Sequence, residues 1–280
     1  MRIENEEVFA DRMNEAIEAV SKDERYKESL EALLEAKECM EIYDFDECRK
    51  QLIDELHEAD GAYPMHPVVA RLLIDVYEDG IEGGKADAMC DLGTLYYTGR
   101  AGEQDYEKAA YYYDMADKAG DRQATENMGY IYYYGRIGER DYEKAFKYFV
   151  KGALDGHLRS LYKVGDFYKN GYYVEKDPKE AFLIYKHCYD HLSESALPLV
   201  GADIYMRMGD CYYEGFGVER DLITAQRFMS FAENLFYHRL AEGDFFQKRN
   251  LEHVMETLEK IRKEIREEVL PDLSWAGDRE

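Results

Sequence analysis

Several features are scarce in this sequence, and their scarcity narrows what the protein can be. The 280 residues include 5 prolines and 1 tryptophan, and so little proline is typical of a mostly helical chain. The 5 cysteines are irregularly spaced and do not predict a disulfide framework. No apolar run reaches the roughly 18 residues of a membrane-spanning helix, and the polar N-terminus lacks the apolar core of a signal peptide. We therefore expect a cytoplasmic protein that does not insert into membranes.

Positive charge is also scarce. Lys and Arg number 36 against 60 Asp and Glu, which gives a formal net charge of -24. Such a surface repels phosphate groups, so nucleic acids and anionic membranes are disfavoured as partners. A basic protein or peptide is compatible with this charge. The alternative interpretation is a solvated surface whose only effect is to keep copies of the protein apart.

What the sequence does contain is an internal repeat. A glycine preceded by an apolar residue recurs with spacings of 36, 36 and 44 residues, at Gly93, Gly129, Gly165 and Gly209. A tyrosine follows in each copy: Tyr96, Tyr132, Tyr168 and Tyr212. Next comes a second glycine: Gly99, Gly135, Gly171 and Gly215. An aspartate comes after it: Asp105, Asp141, Asp177 and Asp221. The last column is an alanine: Ala109, Ala145, Ala181 and Ala225. So many columns in constant order predict one structural unit used four times.

Each column has a physical interpretation as part of a helical hairpin. The second glycine suits the left-handed end of a first helix, and the aspartate suits the N-cap of a second. Pro178, directly after Asp177, supports that cap because proline is favoured at the first helical position. The first glycine lies inside a helix, where it costs about 1 kcal/mol relative to alanine. We expect close approach of the partner helix, at the alanine column, to be its reason.

This order of columns resembles the Sel-one-like repeat (SLR) family, a relative of the tetratricopeptide repeats. The resemblance covers about residues 86–240 and implies an all-α fold, a right-handed α-α superhelix (solenoid) of helical hairpins. The chain departs from the family pattern in its linker. Gly-x-Gly-Val is intact only in the fourth repeat, at Gly215–Val218, and Tyr173 replaces the second linker glycine in the third.

The frame also predicts the organisation of the chain. We expect divergent helical hairpins over residues 1–85, with one helix over 67–79 that ends at Gly80. Four repeats follow, at about 86–121, 122–157, 158–200 with an insertion, and 201–240. Residues 241–270 are predicted to form a capping helix, because apolar residues recur on one face between Leu251 and Val269. An alternative is that this helix makes the protein a homodimeric scaffold. Residues 271–280 are predicted to be a tail.

Enzymatic and metal-binding interpretations find little support in the motifs. The stretches "GRAGEQD" and "GRIGERD" lack the preceding strand and the Lys-Ser/Thr pair of a phosphate-binding loop. No nucleophile and base can be paired from their spacing, so we expect no enzyme and no cofactor. Some cysteine-rich SLR proteins have been ascribed β-lactamase or penicillin-binding activity, which leaves a hydrolase as an alternative. We also predict no metal site, although His187 and His191 are four residues apart and could share one face of a helix.

The resemblance implies that the first helix of each hairpin lines a concave groove. The groove candidates are Thr94, Tyr97, Glu126, Tyr130, Tyr133, Tyr134, Tyr162, Asp166, Lys169, Asp210 and Tyr213. Tyrosines give rigid contact area, and carboxylates select basic side chains. We therefore expect a non-enzymatic scaffold or adaptor that binds a protein or peptide in this groove.

Overall fold

The protein is all-α, as the repeat predicts. The computed structural model describes residues 6–40, 45–58 and 64–269, and these ranges contain no strand. The helices are α1 (Glu6–Val20), α2 (Lys27–Cys39), α3 (Phe45–Glu58), α4 (Pro67–Glu82), α5 (Ala86–Thr98), α6 (Tyr106–Lys118), α7 (Arg122–Tyr134), α8 (Tyr142–Leu154), α9 (Leu158–Asn170), α10 (Pro178–Asp190), α11 (Ala202–Glu214), α12 (Leu222–Ala241) and α13 (Lys248–Glu264). Contacts divide the chain into two compact units, Met1–Ala145 and Phe146–Glu280. The predicted tail, 271–280, lies outside the described residues.

The first helix of every repeat ends at the predicted glycine. Helices α5, α7, α9 and α11 have 13 residues each and stop one residue before it. The glycine is left-handed in all four, with φ of 72° at Gly99, 66° at Gly135, 73° at Gly171 and 68° at Gly215. A side chain would strain this conformation, which is why glycine holds the position.

The aspartate column begins the second helix of every repeat. A carboxylate oxygen of each aspartate accepts a backbone N–H from the first turn of α6, α8, α10 or α12. In addition, the aspartate N–H donates to the carbonyl of the tyrosine nine residues earlier. The N···O distances are 2.9 Å for Asp105–Tyr96, 3.0 Å for Asp141–Tyr132, 3.0 Å for Asp177–Tyr168 and 2.9 Å for Asp221–Tyr212. This bond closes each hairpin and accounts for the constant spacing between the two columns.

The glycines inside the first helices are positions of close helix packing, but their main partner differs from the expected alanine. A Cβ placed on Gly93 would lie 2.7 Å from the ring of Tyr113 and 3.3 Å from the carbonyl oxygen of Ala109. A Cβ placed on Gly165 would lie 2.5 Å from the ring of Tyr185, which is the equivalent of Tyr113 in the third repeat. In the fourth repeat a methionine replaces the tyrosine, and a Cβ placed on Gly209 would lie 2.8 Å from the side chain of Met229. A glycine is therefore needed mainly because a large side chain, four residues beyond the alanine, occupies the space of its Cβ.

In the first unit, α1 packs against α2 and α4, α2 packs against α3, and α4, α5 and α6 each pack against the next helix. Phe9, Met13, Leu33 and Leu73 are fully buried in the core that these N-terminal helices share. The prediction that α4 ends at Gly80 is wrong, since the helix continues to Glu82. Gly80 is instead buried in the packing of α4 on α5, because a Cβ there would lie 2.9 Å from the Cβ of Ala88.

In the second unit, α13 packs along α12. The apolar residues that the sequence places on one face, Leu251, Val254, Leu258 and Ile261, are at most 6% exposed and join the core of α11 and α12. The capping helix predicted over 241–270 is in fact three segments beyond the end of α12: a 3₁₀ turn (Phe245–Gln247), α13, and a π-helical turn (Ile265–Val269). Because this apolar face is covered within the chain, it is not available to dimerise two copies.

In the linker of the third repeat, Tyr173 adopts the left-handed conformation of the glycine that it replaces. Tyr173 has a φ of 62°, and it is the only non-glycine residue with a positive φ in the described part of the chain. Its counterpart Gly217 has a φ of 73° and packs against the start of α10, where a Cβ would lie 2.0 Å from the carbonyl oxygen of Pro178. The hairpin geometry thus holds both linkers left-handed, although only one carries the permissive residue.

Candidate binding face

Four groove candidates of the first unit form one aromatic surface at the ends of α5 and α7. We call Tyr97, Tyr130, Tyr133 and Tyr134 the tyrosine face. Tyr130 and Tyr134 are stacked, with ring centroids 6.0 Å apart, and Tyr133 meets Tyr134 edge-on at 5.1 Å. Tyr134 is 44% exposed, and the other three are half-buried. These rings therefore lie at the surface while their neighbours restrict their orientation.

Arg136, which the groove columns do not include, lies on this surface. It follows Gly135, the glycine that ends α7, and its side chain is exposed. The guanidinium carbon is 5.7 Å from the ring centroid of Tyr97, 4.9 Å from that of Tyr106 and 5.2 Å from that of Tyr134. Its Nε donates to the hydroxyl of Tyr97 at 3.3 Å. A cation beside three rings is a favourable arrangement. The signal in the sequence was an arginine one residue beyond a tyrosine-rich helix end, after the capping glycine.

The other two candidates of the first unit, Thr94 and Glu126, differ in exposure. Thr94 Oγ1 donates to the carbonyl of Cys90 at 3.1 Å and lies 3.1 Å from the hydroxyl of Tyr113. Burial raises the pKa of Tyr113. Glu126 is 2% exposed. Glu126 therefore presents no surface to a ligand, whereas Thr94 is half-buried and its hydroxyl bonds within the hairpin.

In the second unit, Asp166 and Tyr162 belong to a buried ion cluster. Both carboxylate oxygens of Asp166 accept from the guanidinium of Arg207, at 2.8 Å and 2.7 Å, and Tyr185 donates to the same carboxylate at 2.8 Å. The guanidinium also lies 4.0 Å from the ring centroid of Tyr162. Burial acts to raise the pKa of Asp166, but Arg207 and Lys163 outweigh it and hold that pKa well below its usual range. These groups satisfy one another, so they act as structure and not as ligand contacts.

The remaining candidates of this unit contact α13 or its neighbours. Asp210 lies 2.8 Å from Nε2 of His253 on α13 and 3.6 Å from Nζ of Lys169. The hydrogen bond to Asp210 raises the pKa of His253. Tyr213 donates its hydroxyl to Glu264 at 2.8 Å, also on α13. Residues of the capping helix therefore contact the polar side chains of α11 that the sequence predicted to line a groove.

Neither the cysteines nor the paired histidines form a reactive centre in the described part of the chain. All 5 cysteines are buried and none is in a disulfide bond, and burial raises the pKa of Cys188 and Cys211 to about 12. Such thiols are poor nucleophiles at neutral pH. His187 and His191 are exposed and stacked at 4.0 Å, and Nδ1 of His191 lies 2.9 Å from the carbonyl of His187. No group of three metal-ligating side chains occurs among the described residues.

Sequence reasoning also missed an acidic cleft of about 670 Å³ between α3, α4 and α5. Asp54, Asp87 and Asp91 line it together with the buried side chain of Tyr77, and Lys50 and Lys85 contribute positive charge. Burial, followed by the charges of Asp87, Asp121 and Asp54, raises the pKa of Asp91 to about 6. The only sequence signal was the four-residue spacing of Asp87 and Asp91, since α3 is brought to them by tertiary packing.

The fold and these contacts define a class, an α-helical repeat protein built from hairpins with glycine and aspartate caps. The Sel1 repeat family model matches residues 86–121, 122–157, 158–186 and 203–235. The chain is therefore a member of the Sel1-like repeat proteins, whose hairpin arrays are helical solenoids that commonly serve as protein-interaction scaffolds.

Two solved structures share this fold. One is a Sel1 repeat protein from Oxalobacter formigenes, with 20% identity, a TM-score of 0.52, and coverage of 70% of this chain and 80% of that protein. The other is a protective antigen of uropathogenic Escherichia coli strains with an SLR fold, with 22% identity and a TM-score of 0.52. That match covers 83% of this chain and 51% of the antigen. No curated protein sequence matches the chain. In the part that the structure describes, no helix has the length and apolar character needed to cross a membrane.

Proposed function

We propose that this protein is a non-enzymatic scaffold that binds another protein or a peptide, and that the tyrosine face is its contact surface. The observation that carries the proposal is the contrast between the two units. In the first, Tyr97, Tyr130, Tyr133 and Tyr134 reach the surface, whereas in the second the corresponding positions are used in internal ion pairs and in contacts with α13. The contact surface that we propose is therefore only the tyrosine-rich part of the groove predicted from the repeat.

The chemistry of the tyrosine face suits a polypeptide ligand. Tyrosine rings are large, and few rotatable bonds must be fixed when they bind. Here, stacking of Tyr130 on Tyr134 and the edge contact of Tyr133 hold three rings in place before any partner arrives, which lowers the entropic cost of association. Their hydroxyl groups can bond to a peptide backbone while the rings cover apolar side chains.

The experiment is affinity capture from an extract of the source cells with three forms of the tagged protein. The test variant carries Tyr130→Ala, Tyr133→Ala and Tyr134→Ala. The matched control, Tyr111→Ala, Tyr173→Ala and Tyr237→Ala, removes three rings that are 61%, 53% and 49% exposed elsewhere. Circular dichroism and thermal melting establish that all three forms are folded.

We expect partners that bind the wild type and the control to be lost from the test variant. Calorimetry with the purified partner then gives the loss of affinity, which we expect to be at least about tenfold because buried aromatic contacts dominate many interfaces. Equal retention of every captured partner by the test variant would refute the tyrosine face as the contact surface.

A further inference from the structure

The three rings around Arg136 form a site for a cationic side chain. We call Tyr97, Tyr106 and Tyr134 the tyrosine cage. They come from the end of α5, the start of α6 and the end of α7, so the hairpin framework sets their positions. Tyr97 and Tyr106 meet edge-on at 5.2 Å, and Tyr134 is stacked on Tyr130. The cage is thus supported by neighbouring rings and by helix ends whose caps are fixed.

The occupant of the cage is weakly held in comparison with the rings. Arg136 is exposed, and it stands in the segment 135–141 between two left-handed or extended glycines, Gly135 with φ 66° and Gly138 with φ 141°. Its contacts with the cage are cation–π distances of 4.9 to 5.7 Å and one long hydrogen bond of 3.3 Å to Tyr97. A side chain with these contacts can exchange with a similar group from another molecule.

The repeat pattern by itself does not require that the residue at this position be an arginine packed against aromatic rings. Arg100 is the equivalent residue of the first repeat, and it donates to the carbonyl of Leu56 at 3.1 Å. The fourth repeat has Phe216 there, with Nζ of Lys169 and of Lys176 5.8 Å and 5.7 Å from its ring centroid. Arg100 and Phe216 both contact a neighbouring hairpin. Among Arg100, Arg136 and Phe216, however, only Arg136 places a guanidinium among three rings.

We propose that the tyrosine cage recognises an arginine side chain of the partner, and that Arg136 is an internal competitor which the partner displaces. The inference rests on the proposed function, since it names the chemistry of one contact at the tyrosine face. Arg136 demonstrates that the cage accepts a guanidinium, and the net charge of -24 attracts cationic segments. Arginine is preferred over lysine because its planar group stacks on aromatic rings as well as carrying charge.

The test measures binding of a fluorescein-labelled peptide of Arg-Gly-Gly repeats by anisotropy at physiological salt, with a Lys-Gly-Gly peptide of the same length for comparison. Arg136→Ala empties the cage, and we expect affinity for the arginine peptide to rise about fivefold, since the competent fraction of the protein increases. Arg140→Ala is the matched control. It removes the same charge from the same segment, but Arg140 contacts the hydroxyl of Tyr142 and not the cage.

The proposal is supported if Arg136→Ala tightens binding of the arginine peptide more than Arg140→Ala does, and if a further Tyr106→Ala change abolishes the gain. It is overturned if both arginine variants give the same change, if the lysine peptide gains equally, or if Arg136→Ala only lowers the melting temperature. The peptide assay changes Arg136 and Tyr106, which are not part of the tyrosine face, whereas Tyr130 and Tyr133 of the capture variant are not part of the cage. Loss of partners there without any gain here would leave the scaffold function standing and the cage as a structural clamp.

Discussion

The ion cluster of the second unit allows one stability prediction to be worked through from the contacts. Arg207→Met removes the guanidinium but keeps an apolar stem of similar length over Tyr162. Two bonds to Asp166, at 2.8 Å and 2.7 Å, and one to the carbonyl of Asp203, at 3.0 Å, are lost. The side chains of Arg207 and Asp166 are 11% and 13% exposed, so solvent replaces little of what is removed.

Removing one member of a buried ion pair typically costs about 3 to 5 kcal/mol, because the other charge remains buried. Asp166 would still have Tyr185 at 2.8 Å and Lys163 at 3.4 Å, which places the expected loss near the lower end, at about 3 kcal/mol. For a chain of this size, that corresponds to a fall of about 6 to 12 °C in melting temperature. Thermal and urea unfolding followed by circular dichroism measure both quantities, with a two-transition fit if the units unfold separately.

The double variant Arg207→Met with Asp166→Leu is the control. Because it also removes the carboxylate that would stay buried, we expect it to recover part of the stability, while Lys163 loses its ion pair with Asp166 at 3.4 Å. The pKa of Asp166 is lower in the folded chain than in the unfolded chain. Its contribution is therefore present above the unfolded carboxyl pKa of about 3.9 and is lost as pH falls through the folded value. The difference between wild type and Arg207→Met should be constant from about pH 5 to 8 and shrink in stronger acid. A loss below about 1 kcal/mol for the single variant, or a double variant less stable than the single one, would refute this account.

Two further predictions concern packing and titration. Gly165→Ala should destabilise the second unit by about 1 to 3 kcal/mol in urea unfolding, because its Cβ would lie 2.5 Å from the buried ring of Tyr185; unchanged stability would show that the ring has room to move. His253 should titrate above its usual pKa in an NMR experiment and return toward it in Asp210→Asn, because Asp210 favours the protonated ring. That interaction stabilises the fold fully below the unfolded histidine pKa of about 6.5 and is lost as pH rises through the folded value.

The sequence predicted the helices of the repeats because their signals are local. A glycine that needs a left-handed φ, and an aspartate that caps the next helix, act within a few residues, so Gly99 and Asp105 could be assigned without tertiary information. The end of α4 was misplaced for the opposite reason. Gly80 resembles a helix stop in the sequence, but it is determined by its contact with Ala88 on another helix.

The candidate site could be predicted only in part, because exposure depends on what packs over each helix. Tyr133 and Asp210 are both surface columns of the repeat frame. In the structure Tyr133 stays at the surface of the first unit, whereas Asp210 is paired with His253 on a helix about forty residues later. No periodicity in α11 indicates that α13 will supply that histidine.

The same argument explains why the most specific feature of the tyrosine face lies outside the frame. Columns of a repeat report what all hairpins share, whereas a binding site is built from what one hairpin does differently. Gly99 and Gly135 are equivalent, and each is followed by an arginine, yet Arg100 reaches a main-chain carbonyl and Arg136 reaches three rings. Two of the rings, Tyr97 and Tyr106, belong to the hairpin that precedes Arg136, and the third, Tyr134, stands where the first repeat has Thr98. Residues of two successive hairpins thus turn the end of a repeat helix into a site where a cation lies among three rings.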